Sequence, residues 1–216
     1  MDWDARRRRM VEGLVRDRGI REPRVVEAML QVPRHLFLDE ALRDRAYGEG
    51  TLPIGHGQTI SQAYTVARMT ELLAPGPGDT VLEVGTGSGY QAAVLSRLCD
   101  RVISLERIPP LAERAKGILR RIGCRNVFVR VTDGSVGLSS RRLFRKILVT
   151  AGAPAVPPSL MDQLEVGGRM VLPVGPDGEQ VLSVVERTPR GFLRHDVEPC
   201  GFVPLIGEEG FRHRAV

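Results

Sequence analysis

The chain has 216 residues, of which 42% are hydrophobic and 26% are charged. This composition is ordinary for a globular protein with a buried core, and it excludes a disordered chain, a collagen-like fibre and a disulfide-stapled miniprotein. The formal net charge is +5 at pH 7, with 26 acidic residues mixed among 31 basic ones. Such a mixture favours solvated helix faces over a nucleic-acid surface.

The sequence also bears on location and on metals. No apolar run approaches the roughly 20 residues of a membrane helix, and no apolar signal segment follows the arginines at residues 6–9. The separated cysteines Cys99, Cys124 and Cys200 are typical of a reducing cytosol, and no Cys/His cluster has zinc spacing. We therefore expect a cytoplasmic protein without a metal, a membrane or a stable nucleic-acid partner.

Residues 1–60 are predicted to form an N-terminal helical extension with a substrate loop. Apolar spacing predicts helices over residues 6–18 and 23–31, followed by a glycine-rich loop over residues 46–58. Thr59-x-x-Gln62 has the pattern of a capping box, so we expect Thr59 to cap the next helix.

Residues 61–180 alternate between strand and helix patterns and are predicted to form the cofactor-binding core. The predicted strands cover residues 80–84, 101–105, 126–131, 146–150 and 169–173, and the helices between them cover residues 91–98, 111–122 and 158–164. This alternation implies right-handed crossovers and a doubly wound, mostly parallel sheet.

Residues 181–216 are predicted to form a C-terminal hairpin and a substrate segment. Strand patterns over residues 181–187 and 192–197 are separated by the turn Thr188-Pro189-Arg190-Gly191. The prediction is therefore one α/β domain over residues 1–216, with a seven-stranded, mostly parallel sheet and an antiparallel C-terminal hairpin. This resembles the Rossmann-like fold of S-adenosylmethionine-dependent methyltransferases.

The segment Glu83-Val84-Gly85-Thr86-Gly87-Ser88-Gly89 is the strongest local signal for a ligand. Three alternating glycines between a buried strand and a helix allow a sharp turn and a close approach of a ligand to the main chain. The same glycines satisfy the dinucleotide fingerprint of an NAD enzyme. A tight turn that binds nothing is the remaining interpretation.

Two strand-end acids favour S-adenosylmethionine over NAD. Glu106 closes the second strand, where a carboxylate can accept hydrogen bonds from both ribose hydroxyls. Asp133-Gly134 closes the third strand, where methyltransferases commonly use an acid to accept from the adenine amine; a plain Asp-Gly turn is the alternative. Together with Glu83, these residues predict an S-adenosylmethionine site.

Four segments carry a resemblance to a known family. They are Val32-Pro33-Arg34-His35-Leu36-Phe37, Pro53-Ile54-Gly55-His56-Gly57-Gln58-Thr59-Ile60-Ser61-Gln62, Leu82-Glu83-Val84-Gly85-Thr86-Gly87-Ser88-Gly89-Tyr90-Gln91-Ala92-Ala93 and Phe202-Val203-Pro204-Leu205. In this order, between about Val11 and Gly210, the chain resembles protein-L-isoaspartate O-methyltransferases.

The resemblance implies an activity and a set of site residues. It implies methyl transfer from S-adenosylmethionine to the abnormal α-carboxylate of L-isoaspartyl residues in damaged proteins, with S-adenosylhomocysteine as product. The methyl ester then closes to a succinimide, which can reopen to normal aspartate. It also implies Ser61 as the active-site residue, contacts of Thr59, Ile60, Val203 and Leu205 with the substrate backbone, and a monomer.

The chemistry of the residues agrees with such an acceptor. A carboxylate with an unperturbed pKa near 4 is already ionised at pH 7, so it needs no general base. If Thr59 caps the helix, the N–H groups near Ile60 and Ser61 lie at a positive helix end that suits a carboxylate. Ser61 would orient the carboxylate by hydrogen bonding; a second capping serine is the alternative.

Several residues depart from the family's usual pattern, and other activities remain open at this point. Ala63, Leu138, Arg145, Gly152 and Gly201 stand where the family commonly has Pro, Trp, Asp, Ala and Arg, respectively. We expect them to affect substrate affinity more than reaction type. A methyltransferase acting on RNA or on a small molecule, and a non-catalytic cofactor-binding module, are the competing hypotheses.

Overall fold

The computed structural model describes residues 2–138 and 142–212. Within them the strands are β1 (Leu52–Gly55), β2 (Gln58–Ile60), β3 (Thr80–Val84), β4 (Arg101–Glu106), β5 (Val127–Val131), β6 (Phe144–Val149), β7 (Leu164–Val174), β8 (Gln180–Thr188) and β9 (Gly191–Cys200). The helices are α1 (Trp3–Arg16), α2 (Pro23–Gln31), α3 (Ala63–Leu73), α4 (Tyr90–Leu95), α5 (Pro109–Arg121) and α6 (Pro158–Asp162). Two 3₁₀ helices, Arg34–Phe37 and Glu40–Arg45, lie between α2 and β1.

Seven of the strands form one sheet in the order β5-β4-β3-β6-β7-β8-β9. The strands from β5 to β7 run parallel, and β8 is antiparallel to both β7 and β9. The predicted fold, a mostly parallel seven-stranded sheet with an antiparallel C-terminal hairpin, is confirmed.

The sheet separates two apolar layers because successive side chains of a strand point to opposite faces. In β3, Val81 packs in the layer that contains helices α1–α5, whereas Leu82 and Val84 pack in the layer with α6. All three side chains are at most 1% exposed. A strand that is buried on both faces reads as a continuous apolar run, which is why the sequence identified it.

The structure moves several predicted boundaries. Strand β7 begins at Leu164, not at residue 169, and it continues through Gly167 and Gly168. Gly167 has φ +80°, and the pairing register shifts between Phe144 and Lys146 of β6. The two glycines therefore form an irregularity inside the strand, and helix α6 ends earlier than predicted, at Asp162.

The predicted loop over residues 46–58 contains the antiparallel hairpin β1–β2. His56 and Gly57, at its tip, have φ +53° and +68°, which matches the right-handed twist of a tight hairpin. Thr59 lies within β2, so the prediction that it caps the next helix is wrong. Helix α3 begins at Ala63, and Gln62 is its N-cap without a side-chain capping bond.

We also compared helix length and apolarity with the thickness of a bilayer. Among the helices described here, none is both long and apolar enough to cross a membrane.

Candidate active site

A cleft opens where β3 and β4 end, at the carboxyl edge of the parallel strands. It encloses about 900 Å³ of empty space, its open mouth included. One wall is the turn between β3 and α4, a second is strand β2 with the adjoining Ser61, and a third is the segment over residues 203–206. Ligands of open α/β sheets bind at this edge of the sheet.

The glycine turn is the first of these walls. Gly85, Gly87 and Gly89 have φ values of +97°, +52° and +88°, a conformation that other residues rarely adopt. The N–H groups of Gly85 and Thr86 both donate to the carbonyl oxygen of Leu105, at 2.8 and 3.1 Å. A Cβ atom at Gly85 would lie 2.5 Å from Thr150 Oγ1, so this position has no room for a side chain.

Glu106 is oriented by two backbone groups before any ligand binds. Its Oε2 accepts from the Gly87 N–H at 2.8 Å, and its Oε1 accepts from the Ile108 N–H at 2.9 Å. The side chain lines the cleft although the residue is only 7% exposed. Each carboxylate oxygen retains a further lone pair, so this carboxylate suits a ribose diol, as predicted from its strand-end position.

Glu83 lies behind the cleft wall. It is fully buried, it accepts a hydrogen bond from the Ser104 hydroxyl, and that hydroxyl also bonds to Thr86 Oγ1. Burial has the largest effect on Glu83 and raises its pKa. The hydrogen bond from Ser104 acts in the opposite direction, and the nearby charge of Glu106 adds to the effect of burial. The resulting pKa is about 8. The carboxyl group is therefore protonated at pH 7, and it supports Thr86 through Ser104.

Asp133 fastens the C-terminal segment instead of facing the cleft. Its Oδ1 accepts from the N–H and the hydroxyl of Ser135, and its Oδ2 accepts from the Glu208 N–H at 2.8 Å. Partial burial acts to raise the pKa of this carboxyl group, but these hydrogen bonds and the charge of Arg107 hold it below its ordinary value. Of the predicted pair, the neighbouring Gly134 lines the cleft.

The predicted site residues thus divide into two groups. Those that line the cleft are Gly85, Thr86, Gly87, Ser88, Glu106, Gly134, Thr59, Ile60, Ser61, Val203 and Leu205. Glu83, Gly89 and Asp133 are not among the described residues that line it. The part of these three residues in cofactor binding therefore stays a prediction.

The wall over residues 203–206 is held by main-chain bonds. The Gly152 N–H donates to the Val203 carbonyl oxygen at 2.8 Å, and the Leu205 N–H donates to the Gly152 carbonyl oxygen at 2.7 Å. Opposite this segment, Ser61 is half-buried, and within the described chain its hydroxyl makes no hydrogen bond with another residue. It is therefore available to an incoming group.

Several residues that line the cleft were not predicted from the sequence. Tyr90, Gln91, Arg107, Ile108 and Thr150 all line it. Arg107 and Ile108 follow Glu106 directly, so the strand-end rule that identified Glu106 extends to them. No local sequence pattern marks Thr150. Its position depends on a contact with a distant part of the chain, since its hydroxyl donates to the carbonyl oxygen of Gly85, at the end of the neighbouring strand, at 2.6 Å.

A groove continues from the cleft past Ser61. Thr59, Ser61 and Val203 line both the cleft and the groove, and the groove continues along residues 198–202 towards Tyr64. Tyr64 donates to Glu198 at 3.0 Å, and the guanidinium of Arg18 lies 4.1 Å from the centre of its ring. An extended chain can therefore reach Ser61 from outside.

The departures from the family pattern lie in different surroundings. Ala63 is the buried first residue of α3, Leu138 is buried near Gln163, and Arg145 is exposed on β6. Gly152 is packed so closely against the Gln180 side chain that a Cβ would lie 2.8 Å from it. Gly201 lines the groove, and a Cβ there would meet nothing within 4 Å.

Two observations bear on metals and thiols. Within residues 2–138 and 142–212, no group of three or more His, Cys, Asp or Glu side chains has the arrangement of a metal site. The thiols of Cys99, Cys124 and Cys200 are free, and the first two are buried.

The chain is similar to known proteins over nearly its whole length. A family model described as protein-L-isoaspartate(D-aspartate) O-methyltransferase matches residues 5–210. A protein-L-isoaspartate O-methyltransferase of Syntrophotalea carbinolica is 52% identical over 212 residues, which cover 98% of each chain. One of Magnetococcus marinus is 54% identical over 206 residues, which cover 95% of this chain and 90% of the relative.

The fold is also that of a solved relative. A beta-aspartate methyltransferase (PCMT) of Plasmodium falciparum, in complex with S-adenosyl-L-homocysteine, has a TM-score of 0.82 and 26% sequence identity to this chain. The match covers 93% of this chain and 98% of that one.

Proposed function

Because this chain belongs to the protein-L-isoaspartate O-methyltransferase family, we propose that it methylates the free α-carboxylate of L-isoaspartyl residues in damaged proteins. One observation carries the proposal: a single cleft joins the glycine turn and Glu106 to Ser61, Val203 and Leu205. The methyl donor and a carboxylate acceptor can therefore meet within it.

The residues of the cleft fit S-adenosylmethionine. The oriented Glu106 carboxylate suits the ribose hydroxyls, and the turn over residues 85–88 offers main chain without a Cβ barrier at its glycines. When bound, S-adenosylmethionine supplies a methyl group on a sulfonium sulfur, and the carboxylate takes up this group without the release of a proton. We propose Thr86, Ser88 and Gly134 as further parts of this binding surface.

The chain itself has to bind, orient and dehydrate the acceptor. A carboxylate is ionised at pH 7, so no side chain has to remove a proton. We propose that the Ser61 hydroxyl donates a hydrogen bond that orients this carboxylate, while Thr59, Ile60, Val203 and Leu205 hold the adjacent peptide backbone. Apolar walls such as Ile60 and Leu205 exclude water, which favours a reaction that neutralises charge.

The groove beside Ser61 gives the substrate its path. We propose that the damaged polypeptide runs along residues 198–203 and that its isoaspartyl residue alone enters the cleft. This path passes the small residues Gly201 and Val203, and larger side chains such as Tyr64 and Glu198 also line the groove.

The assembly and location are part of the same proposal. We propose a single domain over residues 1–216 and, as the family resemblance implies, a monomer. The free thiols support a reducing cytoplasmic location. Arg7 pairs with Asp4 at 2.8 Å, and we propose that the arginine run stabilises the N-terminal helix and does not bind nucleic acid.

The test measures methyl transfer from labelled S-adenosylmethionine to two hexapeptides of otherwise identical sequence. One contains L-isoaspartate and the other contains L-aspartate at the same position. We expect base-labile label on the isoaspartyl peptide alone. The variant Ser61→Ala should lower kcat/KM by about 30-fold, the effect of one hydrogen bond to a charged group, with unchanged affinity for S-adenosylhomocysteine. Ser96→Ala, which removes a hydroxyl bonded to Ala93 away from the cleft, is the matched control.

Each part of the proposal has its own contrary outcome. Transfer to neither peptide, with S-adenosylhomocysteine still bound, contradicts the acceptor. Full activity of Ser61→Ala removes the role proposed for this hydroxyl and leaves the acceptor untouched.

A further inference from the structure

A fully buried arginine lies directly behind Ser61. Arg34, at the start of the 3₁₀ helix after α2, is 1% exposed. Its Nη2 donates to the carbonyl oxygen of Ser61 at 2.6 Å, and its Nε donates to the carbonyl oxygen of Ala46 at 2.8 Å. Its Cζ lies 4.8 Å from the centre of the Tyr90 ring, in the helix after the glycine turn.

One guanidinium therefore joins parts of the cleft that are distant in sequence. The planar group has five N–H donors in fixed directions, so two carbonyl oxygens bound to it have a fixed separation. Ser61 immediately follows β2, outside helix α3, and the helix does not hold it by a capping bond. The bond from Arg34 is thus a main restraint on where Ser61 lies.

Within the described chain, the guanidinium of Arg34 meets carbonyl oxygens and the Tyr90 ring but no carboxylate. None of the ion pairs among the described residues includes it, and its Nη1 has no hydrogen-bond partner among them. Burial lowers the pKa of this guanidinium, yet arginine stays protonated at neutral pH. A buried cation without an anion costs free energy, and an anion that binds nearby offsets part of this cost.

The proposed substrate brings such an anion to Ser61. Resting on the proposed function, we propose that Arg34 is a positioning residue, which fixes the main chain of Ser61 and presents its buried charge to the substrate carboxylate. The substrate carries this negative charge, whereas the methyl ester product does not. Arg34 therefore favours bound substrate over bound product.

The charge acts mainly on substrate binding. Negative charge on the carboxylate falls as the reaction proceeds, so attraction to Arg34 is stronger in the bound substrate than in the transition state. An interaction of this kind lowers KM and does not raise kcat. The effect of removing Arg34 should consequently fall on KM for the peptide.

The experiment compares two peptides that differ at one group. With S-adenosylhomocysteine saturating, binding is measured for a peptide with an isoaspartyl α-carboxylate and for the same peptide with an α-carboxamide. We expect the wild-type protein to bind the carboxylate about 30-fold more tightly and Arg34→Met to bind the two within about threefold. In turnover, Arg34→Met should raise KM by about tenfold with little change in kcat.

Two further variants separate charge from structure. Arg24→Met is the matched control, because Arg24 also donates to two carbonyl oxygens, of Pro75 at 3.0 Å and Leu98 at 2.6 Å, away from the cleft. It should keep the wild-type ratio of the two affinities. Arg34→Lys keeps the charge and should keep most of that ratio, which also covers the case in which Arg34→Met does not fold.

The outcomes are distinct. If Arg34→Met only loosens the cleft, the affinities for both peptides fall equally and their ratio stays at the wild-type value. This result overturns the inference about Arg34. Loss of the affinity ratio in Arg34→Lys overturns it as well. A wild-type protein that methylates no isoaspartyl peptide overturns the proposed function instead.

Discussion

The two sides of the cleft are held in place by different means. On the cofactor side, the glycine turn and Glu106 follow adjacent parallel strands, and short hydrogen bonds join them to each other. On the substrate side, Ser61 and Val203 come from parts of the chain about 140 residues apart, and they depend on main-chain bonds to Arg34 and Gly152. The cofactor side is thus built by the sheet, whereas the substrate side is built by contacts between loops.

The largest expected effect tests the cofactor side. Glu106→Ala removes the carboxylate that accepts from the Gly87 and Ile108 N–H groups, so both N–H groups lose their acceptor. We expect the Kd for S-adenosylhomocysteine to rise by about 100-fold, the effect of losing charged hydrogen bonds at a buried site. Isothermal titration calorimetry measures this change.

The exposed carboxylate of Glu113, on α5, provides the control, since it lies on the helix surface and pairs with Lys116. Glu113→Ala should leave the Kd unchanged. An unchanged Kd in Glu106→Ala would mean that the ordered carboxylate serves the fold of the turn and not the ligand.

The second prediction concerns the buried carboxyl group behind the cofactor side. The pKa of Glu83 is about 8 in the folded protein, against an ordinary value of 4.5. Between these values the folded state keeps a proton that the unfolded state loses, so the free energy of unfolding falls as the pH rises. The contribution of this one group has a slope of about 1.4 kcal/mol per pH unit, and it ends above the folded pKa.

Urea unfolding of wild-type protein and Glu83→Gln at pH 5.5 and 7.5 isolates this contribution. The variant cannot ionise at this position, so its stability should fall less over the interval than that of the wild-type protein. Identical pH dependence in the two proteins would show that Glu83 ionises normally. No matching effect is expected from Glu113→Gln, because that carboxylate is exposed.

The same contrast explains what the sequence could predict. The seven strands, the glycine turn and Glu106 were identified because strand, turn and strand-end acid are local patterns. The roles of Glu83 and Asp133 in cofactor binding stay predictions, and the hydrogen bonds with Ser104 and Glu208 that fix the two carboxyl groups have no local sequence pattern.

The substrate side was harder to predict for a physical reason. Hairpin β1–β2 turns at His56 and Gly57 with both residues at positive φ, and Gly-His-Gly lacks the Asn-Gly signal of such turns. The capping role given to Thr59 was wrong because the hairpin takes that residue into β2. The family resemblance nevertheless selected Ser61, Val203 and Leu205, which the structure brings to one cleft.

The smallest expected effect comes from adding a charged side chain to the groove beside the substrate side of the cleft. Gly201 lines the groove next to the cleft, its φ lies outside the left-handed region, and a Cβ there meets nothing within 4 Å. Gly201→Arg should therefore fold without strain and place a positive charge along the proposed peptide path. We expect KM to fall by about threefold for an isoaspartyl peptide with flanking glutamates, the range of an exposed ion pair.

Gly201→Gln is the matched control, because it adds a long side chain without a charge. The gain should appear only with the arginine, only with the acidic peptide, and should disappear in high salt as exposed charges are screened. An equal gain with glutamine would mean that the groove binds the added side chain's apolar stem. No gain with either would place the peptide elsewhere than along residues 198–203, and would restrict the proposed substrate contacts to the cleft itself.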